Sequence, residues 1–215
     1  MTLSEENYLK TIFHLYQEEK EPVSTNAIAE RLATKPSSVT DMMKKLATKN
    51  LINYQKYQGV TLTERGMKKA TLIVRKHRLW EVFLVEKLHF SWDEVHDIAE
   101  ELEHIQSEVL IDRLDAFLGS PDKDPHGDPI PNKEGVFYNT IKTLLSELDS
   151  GDSGTCVAVK NTSKEFLVYL SKMGIALGNE ITVVSKEPFD NSMTIRINDT
   201  IIQLSAMVCR NIYIN

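Results

Sequence analysis

Between residues 77 and 104, imidazoles and carboxylates recur at helical spacing where a folded chain would want an apolar stripe. His77 and Glu81 are four residues apart and share one helix face. His96, Glu100, Glu103 and His104 follow at i, i+4, i+7 and i+8, one stripe of the next helical segment. Antiparallel packing of the two segments would gather three imidazoles and three carboxylates, and the stripe contains no Lys or Arg as counter-charge. Buried carboxylates without compensation are expensive. A divalent cation would resolve the conflict, and this donor set suits iron(II), manganese(II) or zinc. The absence of a nearby cysteine argues against a structural tetrahedral zinc site. The run Glu94–Glu108 is also acidic enough to be a solvated face, so spacing alone leaves both readings open.

The residues ahead of the stripe suggest what such a cation would control. Leu9, Ile12, Phe13 and Tyr16 keep helical period behind a Thr2/Glu5 capping box. A short helix over about 25–33 presents Ile28, Ala29 and Leu32 inward. After the Thr34-Lys35 turn, Pro36 opens a third helix that buries Val39, Met42, Met43 and Leu46. Its opposite face carries Ser37, Ser38, Thr40, Asp41, Lys44 and Lys45. The β-prone runs Leu51–Tyr54 and Val60–Leu62 then form a hairpin through Gln58-Gly59. Helix, helix, turn, helix and two-stranded wing make a winged helix-turn-helix, whose short polar side chains reach base edges while lysines hold phosphates. Lys35 and the wing residue Tyr57 complete the expected DNA contacts. Charge agrees: residues 1–76 hold 13 Lys/Arg against 8 Asp/Glu, the remainder 12 against 23.

Thr63 caps a long helix running to about His89, and Ser91 with Glu94 caps a second expected to reach about Leu118. Two such helices are natural dimerisation material. Residues 119–133, with four prolines, read as a loop, and a helix is expected over about 134–148. Beyond the linker 149–154 the texture turns to β. Strands are expected over Thr155–Val159, Glu180–Val184, Met193–Ile197 and Thr200–Leu204, with one helix near Lys164–Met173. The expected fold is mainly α with a small β domain. It comprises a winged helix-turn-helix domain (1–70), a helical metal-binding and dimerisation domain (71–148) and a small SH3-like β-barrel (149–215). No apolar run approaches the roughly 20 residues of a membrane helix, and the opening MTLSEENYLK lacks a secretory signal's basic flank and apolar stretch. Cys156 and Cys209 read as reduced thiols, which makes the cytoplasm the expected location. Trp80 and Trp92 read as core or dimer-interface aromatics.

The segments RKHRLWE (Arg75–Glu81) and VHDIAEELEH (Val95–His104) resemble the ligand-bearing stretches of the diphtheria toxin repressor and iron-dependent regulator family. KPSSVTDMMKKL (Lys35–Leu46), YQKYQGVTLTERG (Tyr54–Gly66) and HGDPIP (His126–Pro131) are similar to its manganese-responsive members. The resemblance covers roughly residues 3–131, and the C-terminal domain looks like the Src-homology-type domain of longer members. It implies a metal-dependent transcriptional regulator, a repressor of metal-uptake genes that binds a double-stranded DNA operator as a homodimer. Neither a membrane nor a small organic substrate is expected as a partner. The implied cofactor is Mn2+ or Fe2+, with Zn2+ or Co2+ able to substitute. The resemblance assigns Glu100, Glu103 and His104 to a primary metal site, completed from the first helix at the position of Asn7. His77, Glu81 and His96 match an ancillary site. Asp124 and His126 stand where relatives have a Cys-Pro-His-Gly segment, and Glu165 where longer members place a ligand from the C-terminal domain. Lys10 replaces a carboxylate of the binuclear relatives and disfavours a second cation in the primary cluster. A metal-independent DNA-binding adaptor and a metallo-hydrolase using a metal-bound water are the rival readings.

Overall fold

Thr2 starts the first helix by satisfying two backbone donors reciprocally: its hydroxyl accepts from Glu5 N at 3.3 Å, and Glu5 Oε2 accepts from Thr2 N at 3.1 Å. The helix, α1 (Leu3–Glu19), buries Leu9, Ile12, Phe13 and Leu15. The structure is a computed structural model in which residues 1–55, 58–138 and 142–215 are described. α2 (Thr25–Arg31), capped by Ser24, buries Ile28 and Ala29. α3 (Pro36–Thr48) has proline in its first turn and buries Val39, Met43 and Leu46, while Met42 is only half-buried. β1 (Ile52–Gln55) and β2 (Gly59–Leu62) pair antiparallel from Ile52↔Leu62 to Gln55↔Gly59, and Val23 adds a bridge to Val60. Gly59 has φ +86, and a Cβ there would lie 3.0 Å from Pro22 Cβ, so the wing's turn excludes a side chain. α4 (Glu64–Leu88) begins under Thr63, whose hydroxyl accepts from Gly66 N at 3.0 Å. A Cβ on Gly66 would come within 1.8 Å of Leu51 O; glycine is what lets α4 start so close to the wing.

These elements share one core, in which Leu9, Ile12, Ile28, Val39, Met43, Leu46 and Val60 are fully buried beside Ala70, Ile73 and Val74 of α4. With α4 counted only to Trp80, they belong to a first unit of Met1–Trp80, Glu100–Arg113 and Ile130–Phe137. A second unit contains Glu81–Ala99, Leu114–Pro129 and Tyr138–Asn215.

Two helical expectations are corrected. The segment from Ser91 to Leu118 is not one helix but two, α5 (Val95–Leu102) and α6 (Glu108–Phe117). Ser91 and Glu94 do bond each other, N to Oε2 at 3.0 Å, ahead of α5. The ladder stops at Glu103 and His104, and Ser107 caps α6 by accepting from Leu110 N at 3.3 Å. The helix expected over 134–148 is absent from the described residues there, which form turns, β3 (Thr143–Leu144) and a 3₁₀ turn at Leu145–Glu147. Residues 139–141 lie outside the described set.

The second unit's sheet adds β4 (Ser153–Val159), β5 (Glu180–Lys186), β6 (Met193–Ile197), β7 (Thr200–Leu204) and β8 (Ile212–Ile214). All pairings are antiparallel in the order β3-β8-β4-β5-β6-β7. Register shifts at Cys156/Ala158 and Val183/Ser185 bend it, as bulges do in small SH3-like sheets. α7 (Lys164–Lys172), capped by Ser163, and α8 (Ala206–Cys209) cover a core that includes Leu145, Leu167, Leu170, Ile181 and Ile195. Cys156 and Cys209 are buried free cysteines, and burial pushes both thiols up to about 11.

Candidate metal centre and DNA-facing helix

In the first unit, α1 contributes Glu6, Asn7 and Lys10, α4 contributes His77, and the end of α5 contributes Glu100, followed by Glu103 and His104 in the turn. Glu103 is fully buried. Its Oε2 accepts from His77 Nδ1 at 2.7 Å and from Lys10 Nζ at 2.8 Å, and Lys10 Nζ is also 2.7 Å from Oε1. Lys10 donates to Glu100 as well. Burial alone would push the Glu103 carboxyl up; the His77 hydrogen bond and the Lys10 charge outweigh it and hold the carboxyl below its usual range. The counter-charge missing from the stripe therefore comes from α1, which corrects the expectation that these carboxylates are uncompensated.

His104 Nδ1 donates to Glu6 Oε2 at 2.7 Å, and its Nε2 lies 3.8 Å from Glu103 Oε1. Gln106 Nε2 donates to Glu6 Oε1 at 3.0 Å and to the His104 carbonyl at 2.8 Å. The side-chain oxygen of Asn7 is buried without a hydrogen-bond partner, a condition that costs about 1–3 kcal/mol unless something else satisfies it. His77, Glu100 and Glu103 each offer a donor atom within 4.8 Å of the others. Imidazole, carboxylate and amide oxygen together fit a hard-to-borderline dication, and Lys10 already neutralises part of the carboxylate charge.

The second unit holds another cluster. Glu81, Asp124 and His126 are all buried, with donor atoms within 4.8 Å of one another. His126 Nε2 donates to the Trp92 carbonyl at 2.8 Å, and its Nδ1 lies 3.7 Å from Glu81 Oε2. His96 Nδ1 is 3.7 Å from Glu81 Oε1. Asp124 Oδ1 accepts from the backbone of His126 (2.8 Å) and Asp128 (3.0 Å), which closes the DPHGD loop on itself. Gly127 (φ +85) lets that loop lie against β4, where a Cβ would meet Val157 O at 2.1 Å. Burial alone would lower the His126 pKa; Glu81, Asp124 and the Trp92 carbonyl raise it to about 9. Trp92 itself stacks on His126 and donates to Ser171 Oγ at 2.9 Å.

Of the expected ancillary set, His77 is hydrogen-bonded to Glu103, and Glu81 and His96 face each other. Glu165 is exposed in the first turn of α7 and belongs to none of the clusters found among the described residues. Sequence reasoning missed Glu6 and Gln106 as partners of His104. Glu6 precedes Lys10 by four residues and adjoins Asn7, so its helix face was the available signal.

On α3, Ser37, Ser38, Asp41, Lys44 and Lys45 are exposed, with Lys35 exposed at the N-cap. Thr40 is half-buried, and its hydroxyl donates to Pro36 O at 3.0 Å. Lys44 pairs loosely with Asp41 at 3.4 Å. Lys45 lies 3.0 Å and Lys49 2.7 Å from Oε1 of Glu5, a buried residue of α1. Tyr57 lies outside the described residues.

Residues 1–60 match the iron dependent repressor N-terminal DNA binding domain, residues 63–132 the iron dependent repressor metal binding and dimerisation domain, and residues 143–215 the FeoA domain. The iron-dependent repressor IdeR of Mycobacterium leprae (strain TN) is 30% identical over 191 residues, covering 83% of this chain and 82% of that protein. A solved manganese-dependent transcriptional repressor in complex with manganese is 35% identical, with a TM-score of 0.87 over 98% of each chain. The structure of ScaR with bound Zn2+ is 33% identical, with a TM-score of 0.80 over 98% of each chain. Likeness at this level across nearly the whole chain, together with a winged helix whose first helix carries part of a buried donor cluster, leads to one conclusion: the chain belongs to the iron-dependent repressor family of DNA-binding transcriptional regulators.

Proposed function

We propose that this chain is a metal-dependent transcriptional repressor of metal-uptake genes, which grips its operator when a divalent cation, iron(II) or manganese(II), occupies the first-unit cluster. The observation that carries this reading is the buried set around Glu103, which draws on α1 of the DNA-binding core as well as on α4 and the end of α5. Asn7, Glu100, Glu103 and His104 would hold the cation, with His77 orienting Glu103. When bound, the cation would add its charge to that of Lys10 and give the unpartnered Asn7 oxygen a ligand to bind. Glu81, Asp124 and His126, with His96 beside them, would hold a second, ancillary cation. Zn2+ and Co2+ suit the same donors.

In a homodimer, two copies of α3 would meet successive major grooves of a pseudo-palindromic operator about 34–36 Å apart. Ser37, Ser38, Thr40 and Asp41 face the bases, and Lys35, Lys44, Lys45 and the wing face phosphates. Linkage requires that DNA tighten metal binding as much as metal tightens DNA binding. We place the working domains at 1–70, 71–148 and 149–215, and the protein in the cytoplasm. Two buried free thiols support that location, and no helix of the described residues is long and apolar enough to cross a membrane. The family is one of DNA-binding repressors rather than enzymes, so the hydrolase reading has no support. A fluorescence titration of operator duplex with manganese, iron(II), zinc and cobalt, each against excess chelator, tests the proposal. Equal affinity with chelator and with metal would favour the metal-independent adaptor instead.

A further inference from the structure

Glu6 is a buried carboxylate that none of the preceding assignments uses, and its two oxygens are both engaged by one neighbourhood. Oε2 accepts from His104 Nδ1 at 2.7 Å, and Oε1 accepts from Gln106 Nε2 at 3.0 Å. Gln106 is itself fastened to the His104 carbonyl at 2.8 Å, so the residues that grip Glu6 also fix the backbone that presents His104. Only 4% of Glu6 is exposed, too little for water to replace these contacts. We infer that Glu6 is the positioning residue of the first-unit metal centre: by holding the proton on His104 Nδ1 it leaves Nε2 as the donor atom, turned toward Glu103.

The geometry is consistent on the other side of the ring, where Nε2 lies 3.8 Å from Glu103 Oε1, close enough to share a ligand and too far for a direct hydrogen bond. A carboxylate behind a ligating imidazole fixes the ring's tautomer and orientation and raises its basicity; losing such a partner typically weakens metal binding about 10–100-fold. Because Glu6 is next to Asn7 on α1, the helix that offers one donor also aims another carried by the turn after α5. The inference rests on the metal-dependent reading above, but part of its test needs no metal.

Long-range nitrogen–proton NMR of the metal-free wild-type chain at pH 8 reads which nitrogen of His104 is protonated. The expected result is Nδ1–H in wild type and loss of that preference in Glu6→Ala. Manganese affinity, measured by competition with a fluorescent chelator and without DNA, should fall about 10–100-fold in Glu6→Ala and less in Glu6→Gln, which keeps an acceptor oxygen. If Glu6→Ala does not fold, Glu6→Gln and Gln106→Ala carry the comparison, each expected to weaken binding by a smaller factor. A proton on Nε2 in wild type, or unchanged manganese affinity in the folded variants, would overturn the role of Glu6. A wild-type chain that binds no manganese at all would overturn the metal-dependent function itself.

Discussion

Lys10 sets the charge balance of the first unit. Its ammonium faces Glu100 and both oxygens of the fully buried Glu103. Removing one partner of a buried pair strands the other charge, at a typical cost of about 3–5 kcal/mol. Lys10→Ala should therefore lower the melting temperature of the metal-free chain markedly. It should also enlarge the stabilisation by manganese, since a cation would then meet two carboxylates with no lysine beside them. Calorimetry with and without manganese reads both, and a variant that melts like wild type in chelator would show that Lys10 is not the counter-ion. His14, a few residues along α1, makes a pH prediction. Burial, reinforced by the charges of Arg78, Lys10, His77 and Arg31, pushes its pKa down to about 3. As pH falls from about 6.5 toward 3, the unfolded chain gains a proton that the folded chain refuses, so stability is present above 6.5 and drains below it, by up to about 1.4 kcal/mol per pH unit. His14→Gln should flatten that part of the stability profile; an unaltered slope in denaturant melts at pH 4–6 would refute the assignment.

Among the elements, α1 and α3 are joined by Glu5, which caps α1 and takes Lys45 from the last turn of α3 and Lys49 from the residue just past its end. The Lys49 hydrogen bond, above all, holds its carboxyl down at about 2 against the opposing effect of burial. A lysine of the DNA-facing helix and the one that follows it are thus partly engaged by the protein itself. Glu5→Gln keeps an oxygen for the cap but frees both, so binding to random duplex should tighten and its salt dependence steepen, by roughly 0.9 per phosphate newly contacted. Lys44→Ala should reduce the slope by about the same amount. Anisotropy titrations across salt concentrations test both, and a Glu5→Gln slope equal to wild type would mean that Lys45 and Lys49 stay off the phosphates. The winged helix was legible in the sequence because its elements bury periodic stripes next to a cap or a turn: Thr2, Thr34-Lys35, Pro36, Gly59. The break between α5 and α6 was not, because Glu103–Ser107 continues the helical spacing, and the chain leaves the ladder only to bring Glu103 and His104 to partners on α1 and α4. β3 and β8 are two and three residues long, too short for alternation to register. The same limit applies at the metal centre: spacing singled out Glu100, Glu103 and His104, while Lys10 and Glu6 meet them from 90 or more residues away, a pairing that only tertiary packing makes.

At the scale of the molecule, each unit contains its own buried donor cluster, and the two differ in what they are attached to. The first shares α1 with the core beneath the DNA-facing helix; the second, around Glu81, Asp124 and His126, sits in a unit that contains no part of that helix. Occupation of the first should therefore control DNA binding directly, while the second adjusts it. We expect two cations per chain, one for each cluster, because Lys10 keeps the first from taking a pair. His126→Ala should lose one of the two and raise the metal concentration needed for operator binding without abolishing the response. Glu103→Gln or His104→Ala should also lose one, yet leave operator affinity insensitive to metal. Native mass spectrometry in manganese counts the ions, and operator titrations of the same samples read the consequence. If His126→Ala abolished the response and His104→Ala merely weakened it, the activating cation would belong to the second unit, and the link through α1 would not be the means by which metal reaches the DNA-binding helix.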